Sequence, residues 1–192
     1  MFDLVLKNIS KYILLTEEEK LIFTSSLKHK RLRKKQFLLE EGGICNHECF
    51  VNSGCLRMYH LDDKAQEHII QFAVSDWWIG DQYSFLTGLP SVYFIDAMEE
   101  SEVLLIEKKH LEDLYARVPK FERFFRIAFQ NSYVSLQRRI LAGLSQTAEE
   151  KYIDFINRYA DIEQKVSQRQ IASYLGITPE SLSRVRKQLA RK

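Results

Sequence analysis

The side chains whose chemistry is easiest to interpret lie in the last 27 residues, Val166–Lys192. This segment contains six basic residues and one acid, whereas the other 165 residues contain 22 basic and 25 acidic ones. A basic end on a weakly acidic body is typical of proteins that bind nucleic-acid phosphates, although charge alone leaves a merely solvated helix equally open. The six cations are Arg169, Arg184, Arg186, Lys187, Arg191 and Lys192.

Two short helices must position these cations. Ser167 and Gln170 have the spacing of a capping box, and Gly176 suits a sharp turn at the end of the first helix. Thr178 is a strong N-cap for the second helix, and Pro179 fits its first turn. Apolar residues recur at helical spacing in both segments. The pattern predicts a helix-turn-helix that could lie in the major groove of DNA, with buried stripes at Ile171, Tyr174 and Leu175, and at Leu182, Val185 and Leu189.

Composition and cysteine usage define the broad class of protein. The chain has 192 residues, 45% of them hydrophobic and 28% charged, with a net charge of +2, which is ordinary for a globular protein. No apolar run approaches the length of a membrane span, and the N-terminus lacks the features of a signal peptide. Three closely spaced cysteines, an odd number, argue against a disulfide framework. We therefore expect a cytoplasmic protein without membrane contact.

The remaining chain changes its pattern twice. Residues 1 to about 30 are predicted to be helical, with Thr16 as a cap, and the region from Lys34 to Lys108 is rich in short strands and turns. We expect strands at Phe37–Leu39, Cys49–Asn52, Leu56–Leu61, His68–Val74 and Val103–Ile106, arranged as an antiparallel roll or barrel.

Helical patterns return after Pro119. A long helix is predicted to about Gly143, followed by a further helix over Ser145–Ile162. The long helix carries an apolar stripe that can pack on its own β-domain, on a second subunit, or on both. Its proposed dimerisation residues are Phe121, Phe125, Phe129, Tyr133, Leu136 and Ile140.

Four short sequence strings, in this order of elements, resemble those of a known family. They are C-F-V-N-S-G-C-L-R-M-Y from Cys49, E-H-I-I-Q-F from Glu67, W-W-I-G-D from Trp77 and P-E-S-L-S-R from Pro179. The chain resembles the cyclic AMP receptor protein/FNR (Crp/Fnr) transcription regulators. The resemblance implies an α+β fold: an N-terminal cyclic-nucleotide-binding-type β-roll, or jelly roll, at residues 1–118, a dimerisation helix at 119–143 and a helix-turn-helix DNA-binding domain at 144–192. Because the sequence stops at Ala190-Arg191-Lys192, the winged hairpin of the family is expected to be absent.

The resemblance also implies individual DNA contacts. Glu180, Ser183 and Arg184 would reach base edges, and the chemistry agrees, since Arg pairs with guanine and Glu accepts from cytosine. Glu180 could instead serve only to complement the helix dipole. The expected half-site is TTGA-like. Contacts to the DNA backbone would come from Ser167, Gln168, Arg169, Thr178, Ser181 and Lys187.

The effector pocket implied by the resemblance departs from the family pattern. Cyclic-nucleotide binders carry a G-E-L string and an Arg ten residues after its Glu, whereas this chain has Gly80-Asp81-Gln82 and then Ser91-Val92. Without that guanidinium a buried phosphate would be poorly compensated, so no cofactor and no tight cyclic AMP binding are expected, and another small effector stays open. The degenerate pocket would comprise Gly80, Asp81, Gln82, Tyr83, Ser91, Val92, Leu136 and Gln137.

Functions other than DNA binding have weaker support in the sequence. The Cys45, His47, Cys49 and Cys55 spacing fits no metal knuckle, and Cys45 is the better candidate for a redox-active thiol. No nucleophile, paired-carboxylate or phosphate-loop motif predicts an enzyme. The expected partners are double-stranded DNA and a second copy of the chain, with RNA polymerase left open. The alternatives are a small-molecule sensor that acts through protein contacts and a cupin-type metalloenzyme.

Overall fold

A computed structural model describes residues 1–159 and 162–190. Within these ranges the helices are α1 (Asp3–Ser10), α2 (Glu17–Ser25), α3 (Gln82–Thr87), α4 (Lys108–Arg117), α5 (Lys120–Ser145), α6 (Ala148–Arg158), α7 (Gln168–Leu175) and α8 (Pro179–Leu189). The strands are β1 (Leu27–Leu32), β2 (Phe37–Leu39), β3 (His47–Ser53), β4 (Cys55–Leu61), β5 (Glu67–Val74), β6 (Trp77–Ile79), β7 (Phe94–Ala97) and β8 (Ser101–Glu107).

The strands form a β-roll of two four-stranded antiparallel sheets. One sheet has the order β1-β8-β3-β6 and the other has the order β2-β7-β4-β5. Fully buried side chains from both sheets meet in a single core, among them Phe50 and Leu104 from the first and Leu56 and Ile95 from the second. Burial of apolar surface on this scale is the main force that holds the two sheets together. The α+β roll predicted from the sequence is therefore confirmed.

All five predicted strands are present, with small differences at their ends. The structure adds β1, β6 and β7, which the sequence did not predict. The prediction of helix up to residue 30 was wrong for its last part, because Leu27–Leu32 pairs antiparallel with β8 from Leu27↔Ile106 to Leu32↔Ser101. This strand buries only Leu27 and Leu32 at its ends, so its four polar central residues conceal the strand pattern.

The first half of α5 belongs to the roll. Phe121, Phe124 and Phe125 are buried, and the ring of Phe125 lies 5.4 Å from that of Trp78. Beyond Phe129, which is partly buried, the large apolar residues of the same helix are exposed. The long helix predicted from Pro119 to about Gly143 is confirmed, and its two halves have different surroundings.

The last three helices enclose a second core. The predicted helix over Ser145–Ile162 is shorter than expected, since Thr147 forms a capping box with Glu150 and α6 begins at Ala148. Tyr152 and Phe155 of α6 pack with residues of α7 and α8, and the cluster continues into the roll through Ile69 and Phe72 of β5. The C-terminal helices therefore share a core with the edge of the second sheet. None of the described helices is long and apolar enough to cross a membrane.

Candidate nucleic-acid interface

Caps fix the geometry of the helix-turn-helix. The Ser167 hydroxyl accepts a hydrogen bond from the Gln170 amide (3.3 Å), and the Gln170 side chain accepts one from the Ser167 amide (2.9 Å). Gly176 ends α7 at φ 65°, in the left-handed region that disfavours side chains. The Thr178 hydroxyl then accepts from the Ser181 amide (3.2 Å), with Pro179 in the first turn of α8. The predicted turn chemistry is confirmed at each of these positions.

The two faces of α8 differ in chemistry. Leu182 and Val185 are buried against α6 and α7. The opposite face is polar and lines a shallow depression open to solvent, formed by Pro179, Glu180, Ser183, Arg184 and Lys187. All three residues predicted to reach base edges, together with one predicted phosphate contact, thus lie on a single exposed surface.

The two cations on this surface have no ion-pair partner among the described residues. Neither Arg184 nor Lys187 forms an ion pair or side-chain hydrogen bond with any other described residue, whereas Arg186 is paired with Glu163 at 3.1 Å. The pKa of Glu180 is lowered by its own backbone amide and by Thr178, so its carboxylate is ionised at neutral pH. The face therefore offers two free cations and one carboxylate acceptor.

The predicted DNA-backbone contacts fall into two groups. Ser167, Gln168 and Arg169 lie exposed at the N-terminus of α7, where the first amides of a helix have no intrahelical acceptor and attract anions. Thr178 and Ser181 are joined at the N-terminus of α8, hydroxyl to hydroxyl, at 3.1 Å. Arg191, which carries part of the basic charge of the segment, and Lys192 lie outside the described residues. The position expected for a wing, beyond Ala190, also lies outside the described residues.

The predicted effector residues around Gly80 are engaged with one another. The Asp81 carboxylate is buried and accepts hydrogen bonds from the amides of Tyr83 and Ser84, which makes it the N-cap of α3. The Gln82 amide donates to both oxygens of the Glu48 carboxylate, at 2.9 and 3.1 Å. Burial raises the pKa of Glu48 to about 7 despite that bond. As the N-cap of α3, the Asp81 carboxylate has a structural role. Its second oxygen, Oδ2, has no partner among the described residues.

The space beside this cluster is small. Gly80 lines a cavity of about 40 Å³ together with Cys45, His47, Cys49 and apolar side chains of both sheets. Pockets for drug-sized ligands measure roughly 300 to 1,000 Å³, whereas a water molecule occupies about 30 Å³. The cavity can accommodate water and excludes a nucleotide in this conformation.

The other predicted effector residues do not line that cavity. Ser91 is buried, and its hydroxyl donates to the Tyr93 carbonyl at 3.2 Å. Tyr83 and Val92 are about half exposed. Leu136 and Gln137 lie on the exposed half of α5, where the Gln137 amide donates to the Tyr133 hydroxyl. The residues predicted to form one pocket are thus distributed over α3, the loop after it and α5.

Sequence reasoning missed a buried arginine in the second sheet. The Arg57 guanidinium donates to Asp96 (2.7 and 3.1 Å) and to Glu67 (2.5 and 3.2 Å), and it lies 4.3 Å from the centre of the Tyr59 ring. Burial alone would lower the pKa of Arg57, but the two carboxylates raise it above the ordinary value. A single Arg within the apolar run of β4 was the available signal. Four of the five N–H donors of this guanidinium are therefore bonded to internal carboxylates.

Burial makes the three cysteine thiols unreactive. Cys45, Cys49 and Cys55 are free and buried, and desolvation raises the pKa of each thiol, to about 12 for Cys55. Because the reactive species is the thiolate, the structure argues against the redox role considered for Cys45. Among the described residues, no three His, Cys, Asp or Glu side chains lie close enough together to hold a metal ion.

The predicted dimerisation residues divide between two environments. Phe121 and Phe125 were assigned to the dimer in error, since both are buried in the roll of their own subunit. Phe129 packs partly against the same core. Tyr133, Leu136 and Ile140 are at least half exposed. We define the exposed α5 face as Tyr133, Val134, Leu136, Ile140, Leu141 and Leu144.

The first helix of the helix-turn-helix is attached to the edge of the roll. The Ser173 hydroxyl donates to the Glu67 carbonyl (2.7 Å) and accepts from the Ile69 amide (3.0 Å). From α5, the Arg139 guanidinium donates to the carbonyls of Ile69 and Ile70 and lies 4.4 Å from the centre of the Tyr174 ring. These contacts cover the open edge of β5, and α8 stays accessible.

Comparison with known proteins agrees with this architecture. The cyclic nucleotide-binding domain model matches residues 29–118. The regulatory protein HlyX of Actinobacillus pleuropneumoniae is 26% identical over 167 residues, 81% of this chain and 69% of the relative. The fumarate and nitrate reduction regulatory protein of Vibrio cholerae is 26% identical over 170 residues, 81% of this chain and 66% of the relative. The chain thus spans about two thirds of the length of these relatives.

Solved structures show the same fold. FixK2 from Bradyrhizobium japonicum superposes with a TM-score of 0.73 at 20% identity, over 86% of this chain and 85% of that one. A regulator of the crp/fnr family from Eubacterium rectale gives a TM-score of 0.68 at 16% identity, over 92% and 84%. The relatives are regulators and not enzymes, which leaves the metalloenzyme alternative without support.

Proposed function

Because this chain is similar to Crp/Fnr-type regulatory proteins over 81% of its length, we propose that it belongs to that family and acts as a homodimer that binds duplex DNA in a sequence-specific manner. The observation that carries the proposal is the outward face of α8, which gathers Glu180, Ser183, Arg184 and Lys187. The two cations on it have no ion-pair or hydrogen-bond partner in the part of the chain that the structure describes. An exposed helix of this kind fits the major groove of B-DNA.

The chemistry of the face assigns different tasks to its residues. The Arg184 guanidinium can donate two hydrogen bonds to guanine O6 and N7, and the Glu180 carboxylate can accept from a cytosine amino group. Lys187 can only neutralise phosphate or donate single hydrogen bonds, so it adds affinity more than specificity. The free amides at the start of α7 offer a phosphate site that helps to set the register on DNA. The half-site we propose is TTGA-like.

The exposed α5 face supports the dimer. Six large apolar residues on one helical stripe have no covering partner within the described chain, and exposed apolar patches of this kind usually mark interfaces. A two-fold dimer built on this stripe would present two copies of α8 to two half-sites related by the same axis. Bound to DNA in this way, the protein would work in the cytoplasm and could bring RNA polymerase to a promoter.

Cyclic AMP is not the effector we propose. The position that carries Arg in nucleotide binders holds the buried Ser91, and Arg57 is held by Asp96 and Glu67. Among the described residues, no guanidinium lines the cavity at Gly80 to compensate a cyclic phosphate. If an effector exists, it differs from a cyclic nucleotide in charge or enters a different conformation of the roll.

Selection of bound duplexes from a random DNA pool tests the proposal directly. We expect enrichment of an inverted repeat whose half-sites are about 10 base pairs apart, centre to centre, one helical turn of DNA. Recovery of no sequence preference, together with salt-independent binding, would contradict DNA recognition and favour a sensor that acts through protein contacts.

A further inference from the structure

One cation of α8 is paired within its own chain. The Arg186 guanidinium lies 3.1 Å from Glu163 Oε1. Arg184 and Lys187, on the same helix, have no ion-pair or hydrogen-bond partner in the ranges that the structure describes. Arg186 is therefore held by the protein, whereas its two neighbours are available to a ligand.

The Glu163 carboxylate joins the three C-terminal helices at one atom. Glu163 lies in the turn between α6 and α7, and its Oε1 accepts a hydrogen bond from the Tyr152 hydroxyl of α6. The same oxygen faces Arg186 of α8. Tyr152 is buried, and burial together with this hydrogen bond raises the pKa of Tyr152 to about 12, so the phenol remains a donor at neutral pH. We call Tyr152, Glu163 and Arg186 the Glu163 clamp.

The turn that carries Glu163 is itself fixed. Ile162 and Val166, on either side of Glu163, are buried in the core of the last three helices. The Val166 amide donates to the Ile162 carbonyl at 3.1 Å, which closes the turn. Lys165 of the same turn pairs with Glu99 of the β7–β8 turn at 2.7 Å. The Glu163 clamp therefore ties α8 to an anchored support.

Arg186 lies at the border between the two faces of α8. It follows the outward-facing Ser183 by three positions and the buried Leu182 by four, and residues at these spacings are neighbours on a helix surface. The apolar contacts of the buried face are non-directional, and by themselves they tolerate a small rotation of the helix about its axis. The ion pair resists that rotation, because turning α8 moves the Arg186 guanidinium away from the Glu163 carboxylate.

The orientation of α8 matters more for base recognition than for phosphate binding. A bidentate contact from Arg184 to guanine requires two N–H groups to meet O6 and N7 at once, so it depends on direction as well as distance. Groups of this kind must be held within about 0.5 Å and roughly 10–20° of the productive geometry. The Lys187 ammonium acts on phosphate as a point charge and tolerates rotation. A loosely oriented α8 would therefore lose specificity before it loses nonspecific affinity.

We propose that Glu163 and Arg186 are positioning residues, which set the rotation of α8 about its axis and thereby align Arg184 with guanine. This inference rests on the proposed function and deepens it, since it says how the α8 surface reads sequence. Neither residue contacts a base in this arrangement. Tyr152 orients the Glu163 carboxylate, and both members of the ion pair act through Arg184.

The ratio of two affinities provides the test. Fluorescence anisotropy measures binding of the full chain to the duplex recovered from the random pool and to an unrelated duplex of equal length. A change in net charge or in the folded fraction alters both affinities alike and cancels in their ratio.

Four variants and one control separate the roles of the charges. The variants are Glu163→Gln, Arg186→Gln, the two combined, and Arg186→Lys, which keeps a cation that can pair with Glu163. Glu163→Gln also keeps a side-chain oxygen that can accept from the Tyr152 hydroxyl. The control is Asp154→Asn, which removes an exposed carboxylate from α6.

We expect Glu163→Gln and Arg186→Gln each to lower the affinity ratio about fivefold, and the double variant to lower it no further, because both substitutions break the same ion pair. Arg186→Lys and Asp154→Asn should keep the ratio of the parent. In the two Gln variants the preference at the base pair read by Arg184 should relax, as measured with single-base variants of the selected duplex.

Three results would overturn the inference while the proposed function stands. They are an unchanged ratio in Glu163→Gln and Arg186→Gln, losses that add in the double variant, and a loss in Arg186→Lys or Asp154→Asn as large as that in Glu163→Gln. Each of them requires a parent that prefers the selected duplex. A parent without any sequence preference would instead refute the proposed function, and this inference with it.

Discussion

The hydroxyl of Ser173 in α7 donates a hydrogen bond to the backbone carbonyl of Glu67 in β5, at 2.7 Å. The same hydroxyl accepts from the Ile69 amide at 3.0 Å, so one side chain satisfies two groups on the open edge of the second sheet. Uncovered strand edges are prone to unwanted pairing and their polar groups need partners. This contact therefore covers part of the edge of the roll and holds α7 of the helix-turn-helix against it.

Removing the Ser173 hydroxyl should weaken the attachment of α7 to β5. Ser173→Ala leaves the Ile69 amide and the Glu67 carbonyl without their partner, at a cost of about 1 to 3 kcal/mol in the free energy of unfolding. We expect faster hydrogen exchange at the Ile69 amide, measured by NMR. Ser132→Ala, an exposed serine of α5, serves as the control. Unchanged exchange at Ile69 would show that the contact does not form in solution.

Arg184 and Lys187 on the outward face of α8 should contribute differently to DNA binding. Arg184→Ala should cost about 1 to 3 kcal/mol of binding free energy and relax the preference at one base pair, because a bidentate contact to guanine is lost. Lys187→Ala should weaken binding to all sequences alike and reduce the salt slope by about 1. Fluorescence anisotropy with a panel of single-base variants measures both. Identical effects of the two substitutions would contradict the assignment of base and phosphate contacts.

The exposed α5 face should hold the dimer together. Ile140→Glu and Leu141→Glu each place a charge in an interface that would otherwise bury apolar surface. We expect each to raise the dissociation constant of the dimer at least tenfold, which corresponds to about 1.4 kcal/mol. Arg138→Gln, at an exposed position of the same helical turn, lowers the charge by one as a control. Sedimentation equilibrium measures the association. A parent protein that is monomeric at micromolar concentration would refute the dimer.

Glu48 should make stability depend on pH. Its pKa is about 7 in the folded protein, raised by burial from 4.5, so the folded state keeps a proton that the unfolded state releases between these values. Stability is therefore fully present below pH 4.5, falls as pH rises toward 7 and levels off above it. The expected loss is about 3 kcal/mol.

Urea denaturation between pH 4.5 and 8 measures this effect by comparison with Glu48→Gln. The amide cannot ionise, so the variant should lack the Glu48 contribution. Asp62, whose pKa is lowered to about 2 by His68 and backbone amides, is ionised in both the folded and the unfolded state over this range and adds no slope to either curve. Parallel stability curves for parent and variant would contradict a raised pKa at Glu48.

Cyclic AMP should not bind tightly. The Gly80 cavity of about 40 Å³ is too small for a nucleotide, and the only buried guanidinium near the second sheet in the described chain, Arg57, is neutralised by Asp96 and Glu67. Isothermal titration calorimetry should give no heat of binding at micromolar ligand. A micromolar dissociation constant would show that the roll opens and that another cation compensates the phosphate.

Local interactions explain which parts of this fold could be predicted. Ser167, Gly176, Thr178 and Pro179 each act on the backbone next to them, so the bounds of α7 and α8 were predictable from residue type alone. The same holds for Thr16, which forms the predicted cap of α2 with Glu19. The α8 face follows from this, since helical spacing separates its polar residues from Leu182 and Val185.

Non-local pairing explains the errors. β1 has a basic, polar interior, and only its register with β8 makes it a strand. The periodicity of α5 places Phe125 and Ile140 on related stripes but does not say which surface each one meets. Burial of Phe125 in the roll and exposure of Ile140 depend on where the roll ends.

The sequence by itself determined the helix-turn-helix, the long helix and the chemistry of the α8 face, because caps, turns and periodicity act within a few residues. Only the tertiary structure decided that Asp96 and Glu67 hold Arg57, that Ser173 attaches α7 to β5 and that Met98 of the β7–β8 turn lies beside α7. Each of these contacts joins residues at least ten positions apart, and several join residues more than sixty apart. Such contacts form only when the packing of two cores brings distant segments together, and no local pattern encodes that.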